Sequence, residues 1–255
     1  MSSLYDNPRY YEIAFSFRDI SAEVDLFEAC FNRFSGIPVR SLLELGCGSS
    51  PHMEELVTRG YRYHGLDVNE KMLEYSLQKA AQIGASVRLI HGNMVDFSLD
   101  AEVDFVYVLL GSLSVRSADE LMNHFSCVAR ALKPGGLYLL DWCIQYDPPW
   151  ESEGTDSWER ASGGVSVKTT ISWRVVNRVE QTFEETIKLD INDHGRQLSV
   201  VGKEVKRAIY PQEFLLFISA LDDFDFVGWW NNWDLAQPLE EATRIDRPIA
   251  LVRRT

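Results

Sequence analysis

An apolar run over residues 39–45, VRSLLEL, stops at Gly46-Cys47-Gly48-Ser49-Ser50 and is followed at once by Pro51. The run predicts a strand. The two glycines predict a tight turn that lets backbone lie against a ligand. Pro51 suits the first position of a helix, where its missing N–H has no partner in any case. Strand, glycine turn and helix make the opening unit of a parallel sheet flanked by helices, and the next segments of the chain repeat that alternation. Residues 61–66 read as a strand ending at Asp67, residues 69–83 as a helix with Met72, Leu73, Ser76, Leu77 and Ala80 on one side, and residues 86–90 as a strand. Residues 103–109 read as a buried strand. Residues 117–132 read as a helix with Leu121, Phe125, Val128 and Leu132 inward, stopped by Lys133-Pro134-Gly135-Gly136, and residues 137–142 as another buried strand. Ahead of all these, Val24, Phe27, Phe31 and Phe34 recur at helical spacing over residues 21–34.

The pattern changes near residue 144. Val165, Val167, Thr169, Ile171, Trp173 and Val175 alternate with polar residues. After a turn at Asn177-Arg178 the alternation resumes with Val179, Phe183, Ile187, Leu189 and Ile191, and after Asp193-His194-Gly195-Arg196 an extended run reaches about residue 207. Period-two alternation in consecutive segments predicts antiparallel hairpins with one wet face. A helix over residues 211–221 and strands over 224–230 and 247–253 return to the first pattern. The chain therefore reads as α/β, with a doubly wound, mostly parallel seven-stranded Rossmann-like sheet and an inserted antiparallel β meander. Three parts are expected: leader helices and cofactor-binding half (1–143), inserted lid (144–208) and C-terminal completion (209–255). The apolar face of the lid is expected to meet the main domain, and its Lys/Glu/Thr face water or a partner.

Ligands of an open parallel sheet sit at the carboxyl ends of the strands, where strand order reverses. The Gly46–Gly48 turn and Asp67, about twenty residues further on, stand at two such ends, and the pair specifies a ribose-bearing cofactor. A dinucleotide fingerprint needs a third glycine where this chain has Pro51, which counts against NAD.

The whole run resembles the class I S-adenosylmethionine-dependent methyltransferases, of small-molecule type. LLELGCGSS is similar to their first motif, YHGLDVNEKML to the second, HGNMVDF to the adenine-bracketing segment, FVYVLLGSL to the fourth motif and LKPGGLYLLD to the strand after it, with RPIALVRR as a typical last strand. The resemblance implies S-adenosylmethionine as cofactor. It implies that Gly46, Cys47 and Gly48 line the methionine part, that Glu44 supports the loop or the cofactor amine, and that Asp67 binds the ribose. It places Val68 and Met72 against the adenine, Asn93 and Met94 at its amine, and the Leu109 backbone toward the methionyl amine. Ser50 replaces the family's usual third glycine, and Asn93 its commoner Asp. Tyr5, Tyr10, Tyr11 and Arg18 resemble the aromatic leader that folds over the cofactor, with Arg18 available to fork onto a carboxylate.

A sulfonium already activates its methyl group, so no strong catalytic motif is expected, and the five histidines are isolated from one another in the chain. His64 and His124 read as core or surface residues; His52 and His91 fall near the cofactor loops. No His/Cys/Asp/Glu spacing suggests a metal. Cys30, Cys47, Cys127 and Cys143 read as small buried hydrophobes. Trp142 and Trp150 read as pocket candidates, and Trp229 and Trp230 as core. The formal charge of −13 and pI near 4.8 argue against nucleic acid and anionic membrane. Asp147-Pro148-Pro149-Trp150 has the spelling of a base-stacking motif but follows the wrong strand. No signal peptide or membrane span is visible, so a cytoplasmic location and a small-molecule substrate are expected. A non-catalytic adenosyl-binding module and a nucleic-acid methyltransferase are the alternatives.

Overall fold

A computed structural model describes residues 4–146 and 154–255 of the chain. A 3-10 turn (Leu4–Asp6) and α1 (Pro8–Ala14) form the leader, followed by α2 (Ile20–Phe34), β1 (Ser41–Leu45), α3 (Met53–Thr58), β2 (Arg62–Asp67), α4 (Glu70–Gln82), β3 (Arg88–His91), β4 (Val103–Val108), α5 (Ala118–Ala131) and β5 (Leu132–Asp141). Four long strands come next, β6 (Gly154–Ser162), β7 (Val165–Asn177), β8 (Thr182–Asp193) and β9 (Arg196–Arg207). The chain then closes with α6 (Pro211–Ala220), β10 (Phe224–Trp230) and β11 (Ile249–Arg254).

The first sheet has seven strands in the order β10-β11-β5-β4-β1-β2-β3, with β1 to β5 parallel to their neighbours and β11 antiparallel to both β5 and β10. β1 is buried throughout, and successive side chains go to opposite layers. Leu43 and Leu45 join the layer containing Phe125 and Phe214, while Leu42 joins Phe27 and Met53. Side-chain caps start the helices: Asp19 accepts from the Ala22 amide, Asn69 from Met72 and Ser117 from Glu120. Asp19 thus starts α2 one residue earlier than its apolar spacing suggests. β5 begins at Leu132, so Lys133-Pro134-Gly135-Gly136 lies inside a strand edge rather than ending a helix; Gly135, at φ +85°, accepts from the Gly36 amide through its carbonyl.

The second sheet is antiparallel, in the order β6-β7-β8-β9. β6 is absent from the sequence reading, because GTDSWERAS has no apolar alternation: it is an edge strand with most side chains in water. The apolar face holds Val165, Val167, Ile187, Leu189 and Val200, and it packs on Leu4, Ile13 and Ala14. The leader, not the parallel sheet, therefore covers this face. Trp158 donates its indole N–H to the Ala14 carbonyl at 2.7 Å, and Tyr10 donates its hydroxyl to Asp193 at 2.8 Å. From its other side the leader reaches α4, where Tyr75 donates to Glu12 at 2.6 Å and Lys71 pairs with Asp6 at 3.1 Å.

Candidate functional site

The strand order reverses between β1 and its two neighbours, β2 and β4, and the Gly46–Gly48 turn leaves the sheet at that point. Gly46 and Gly48 have φ of +66° and +50°, the left-handed region that a Cβ disfavours. A Cβ on Gly46 would also lie 3.0 Å from the Met94 methyl. The Gly48 amide donates to Asp67 Oδ2 at 2.7 Å, and the Asn69 amide donates to Oδ1 at 2.8 Å. Burial raises the Asp67 pKa against the pull of those amides. Each oxygen keeps acceptor capacity for a further donor. The Cys47 side chain turns under the loop, against Gly65, and burial pushes its thiol pKa well up.

Glu44 precedes the turn on the α2 face of β1. Its Oε2 accepts from the Tyr63 and Tyr107 hydroxyls at 2.6 and 3.1 Å. Beside it lies a buried ionic network. Glu23 of α2 accepts from Arg18, from Arg247 Nη1 at 2.6 Å, and meets His52 Nε2 at 2.8 Å. Burial opposes the Glu23 charge, but the His52 and Arg18 hydrogen bonds outweigh it and hold the carboxyl well below its ordinary range. Arg247 also reaches Asp141 at the end of β5, stacks on Trp233 at 4.2 Å, and so ties α2 to the segment leading into the last strand. Asp141 accepts from the Leu110 amide at 2.9 Å, which fixes the loop after β4.

Over this floor is a cavity of about 640 Å³. Tyr5, Tyr11 and Phe15 of the leader and Ile171 and Ile187 of the inserted sheet form part of its wall. Three charged side chains join them: Glu185, Glu204 and Lys206. Glu185 and Glu204 are direct cross-strand partners on β8 and β9. They stand on the same face as Ile187, Leu189 and Val200. Lys206 Nζ lies 2.7 Å from Glu185, 3.8 Å from Glu204 and 3.3 Å from the Gly111 carbonyl. Burial works against its charge, yet the two carboxylates outweigh burial and raise its pKa. Ser114 donates its hydroxyl to Glu204 Oε1.

Arg18, Glu44, Gly46, Cys47, Gly48, Asp67, Val68, Asn93, Met94 and Leu109 all line this one cavity. Met72 does not: its side chain is buried, outside the cavity wall. Two side chains are engaged differently from the sequence reading. The Arg18 guanidinium forks onto Glu23 through Nε and Nη2, leaving Nη1 for a carboxylate. The Asn93 amide oxygen accepts from the Val95 amide at 3.0 Å, closing a turn. His52 is fully buried in the ionic network and is not a cavity wall, while His124 bridges the Met94 carbonyl and the Tyr138 hydroxyl, each at 2.8 Å. Trp142 is half exposed at φ +58° and stands outside the cavity, which corrects its reading as a pocket residue; Trp150 and the Asp147–Trp150 run lie outside the described residues. Trp230 is core, and Trp229 is partly buried. All four cysteines are buried and free. Among the described residues, no group of three His, Cys, Asp or Glu is placed to hold a metal.

Sequence reasoning missed the Glu23–Arg247–Asp141 network and the Glu185–Lys206–Glu204 group. The second had a signal. Counting in twos along β8 gives Phe183, Glu185, Ile187, Leu189 and Ile191, and a carboxylate in an apolar series marks a buried charge with a reason to be there.

The fold and site define an open α/β protein with a glycine turn and an acidic strand end at its switch point and a roofed cavity above. Residues 42–136 match the family described as Methyltransferase domain. A dTDP-4-amino-2,3,4,6-tetradeoxy-D-glucose N,N-dimethyltransferase of Saccharopolyspora spinosa is 25% identical over 103 residues, 40% of this chain and 40% of that protein. The chain spans about two fifths of the length of the curated relatives it matches. Among solved structures, an S-adenosylmethionine-dependent methyltransferase from Clostridium acetobutylicum superposes with a TM-score of 0.78 at 16% identity, covering 96% of both chains. CalS10, an amino pentose methyltransferase from Micromonospora echinaspora solved with S-adenosylmethionine, gives 0.71 at 18% identity, again with 96% of both chains covered. At such identities the likeness shows the fold, inserted sheet included. Residues 42–136 are thus similar to a methyltransferase domain, and the fold of the chain is that of these solved structures.

Proposed function

We propose that this protein transfers a methyl group from S-adenosylmethionine to a small-molecule acceptor. The observation that carries the reading is a single cavity whose floor is the Gly46–Gly48 turn with Asp67, and whose roof is the leader and the inserted sheet. The residues fit an adenosyl cofactor: two left-handed glycines let the backbone at the strand end approach a ligand closely, and Asp67, whose two oxygens each accept one backbone amide, lines the cavity with acceptor capacity to spare. When bound, S-adenosylmethionine supplies a methyl on a sulfonium, whose leaving group needs no acid. The chain's part is to bind, align and exclude water. Asp67 would accept from the ribose, Val68 and the Asn93–Met94 segment would hold the adenine, the Leu109 backbone would take the methionyl amine and Arg18 the carboxylate, while Glu44 is fixed beside the turn by the Tyr63 and Tyr107 hydroxyls.

The enclosed cavity supports a small acceptor, as does the negative formal charge of 13, which leaves little cationic surface for a nucleic acid. No helix among the described residues is long and apolar enough to cross a membrane. A division into 1–143, 144–208 and 209–255 accords with the same logic, the middle part serving as the roof. The test is calorimetry with S-adenosylhomocysteine, then transfer of label from methyl-labelled S-adenosylmethionine into a small-molecule extract. Binding followed by labelled product is expected. Binding without transfer to any fraction would leave an adenosyl-binding module instead.

A further inference from the structure

The roof carries charges that an enclosure alone does not need. The inward face of β8 and β9 is otherwise apolar, and a buried charge there is unfavourable unless compensated. Glu185 is compensated by Lys206 at 2.7 Å. Glu204 is not. Its Oε1 accepts from Ser114, but its Oε2 is 3.8 Å from Lys206, beyond a hydrogen bond, and its side chain keeps about a third of its surface open.

The position of this open carboxylate is fixed by a short chain of contacts. A Cβ on Gly46 would meet Ser112 Cβ at 3.5 Å, so the loop after β4 adjoins the glycine turn. That same loop gives the Gly111 carbonyl to Lys206 and the Ser114 hydroxyl to Glu204. One loop of four residues thus joins the cofactor turn to the roof carboxylate. Asp67, at the ribose end, lies on the other side of Gly46.

Charge across the whole cavity agrees. Six carboxylates line it against four cationic side chains, a formal excess of two negative charges. A zwitterionic amino acid bearing a sulfonium brings one positive charge. A cationic acceptor suits that excess better than a neutral one.

We propose that Glu204 is the acceptor-binding carboxylate, that it selects an amine, and that it takes the proton the amine must lose before methylation. This rests on the methyl-transfer reading above. Lys206 and Glu185 act as positioning residues, holding the strand pair in register without neutralising Glu204. The substrate ammonium gives one N–H proton to Glu204 Oε2 and recovers its lone pair. The nitrogen bonds to the methyl carbon as the carbon–sulfur bond breaks, and that bond's electrons stay on sulfur as a neutral thioether. The product is an ammonium with one more methyl group, and Glu204 returns its proton to water.

The experiment uses the full chain with methyl-labelled S-adenosylmethionine and a small-molecule extract divided in two. One half is first treated with acetic anhydride in aqueous bicarbonate, which acylates amines and spares alcohols in water. We expect label in the untreated half and its loss from the acylated half. Glu204→Gln, nearly isosteric, should lower kcat/KM about 100-fold, within the range for removing a general base. It should leave S-adenosylhomocysteine affinity and circular dichroism unchanged, and Glu204→Asp should recover part of the rate. Label persisting after acylation would overturn the proposal while leaving methyl transfer intact, as would a Glu204→Gln enzyme of full activity. Label in neither half would remove the methyl-transfer reading and the proposal together, whereas the calorimetry would still report the cofactor cradle.

Discussion

The floor and the roof of the cavity hold carboxylates by different means. On the floor, Asp67 is gripped by two backbone amides and Glu44 by two tyrosine hydroxyls rooted in neighbouring strands. On the roof, Glu185 and Glu204 are held by one lysine and one serine. Backbone donors are set by the path of the chain, so the floor is a consequence of the fold itself and tolerates little change. Side-chain donors can be exchanged one at a time while the strands keep their register. A fold that must bind one cofactor and many acceptors is well served by that division: a preorganised floor, and a roof whose chemistry can vary.

The sharpest way to break the floor is at Glu23. Glu23→Ala leaves the Arg18 and Arg247 guanidinium groups without their shared carboxylate, and breaking a buried ion pair from one side costs about 3–5 kcal/mol. Chemical denaturation should show a loss of that size, and calorimetry a weakened cofactor site, since Arg18 is then free to move. A near-wild-type unfolding midpoint would mean the network contributes no rigidity to the floor.

His124 gives the floor a pH dependence. Burial lowers its pKa to about 4, so the folded protein keeps the ring neutral while the unfolded chain protonates it near pH 6.5. Between those values the unfolded state binds the additional proton. Stability contributed by the neutral ring is therefore full above about pH 6.5, falls as pH drops toward 4 by about 3 kcal/mol in all, and is flat below. Denaturant titrations across that window should show the slope, and His124→Gln should flatten it, leaving a smaller slope from half-buried His64, whose pKa burial also lowers. An unchanged slope in the variant would assign the effect elsewhere.

The smallest effect sharpens the comparison from the roof. Glu184 and Glu185 are adjacent on β8 and point to opposite faces. Glu184 pairs with the exposed Arg174 and Lys203 on the outer face. Exposed pairs of this kind contribute little. Glu184→Gln should leave turnover and cofactor affinity unchanged, and a variant that lost activity would show that the roof does not divide into an inner working face and an outer solvated one.

The legibility of the two regions differs for the same reason. The floor is written in contiguous segments: Glu44 to Gly48, Asp67 to Asn69 and Asn93 to Met94 are short stretches whose turn residues and apolar flanks are local signals. Eight of the residues read from those stretches reach the cavity. Met72, placed against an adenine by resemblance alone, is buried outside the cavity wall. The roof gathers Tyr5, Ser114, Glu185, Glu204 and Lys206 from four separate parts of the chain, and only register between strands brings them together. Alternation gave the strands β7 to β9, but it could not show that their apolar face would be covered by residues 4–14. The Glu23 network was hidden likewise, its members being 224 residues apart at the extreme.

The division between floor and roof is tested most directly by one set of calorimetric titrations, S-adenosylhomocysteine into wild type, Asp67→Ala and Glu204→Gln. Losing the Asp67 acceptor should weaken binding by about 1–3 kcal/mol, roughly 5- to 150-fold in Kd, while Glu204→Gln should bind as the wild type does. Wild-type affinity in Asp67→Ala, or a large loss confined to Glu204→Gln, would contradict the account and place the adenosyl group against the inserted sheet instead of the Gly46 turn.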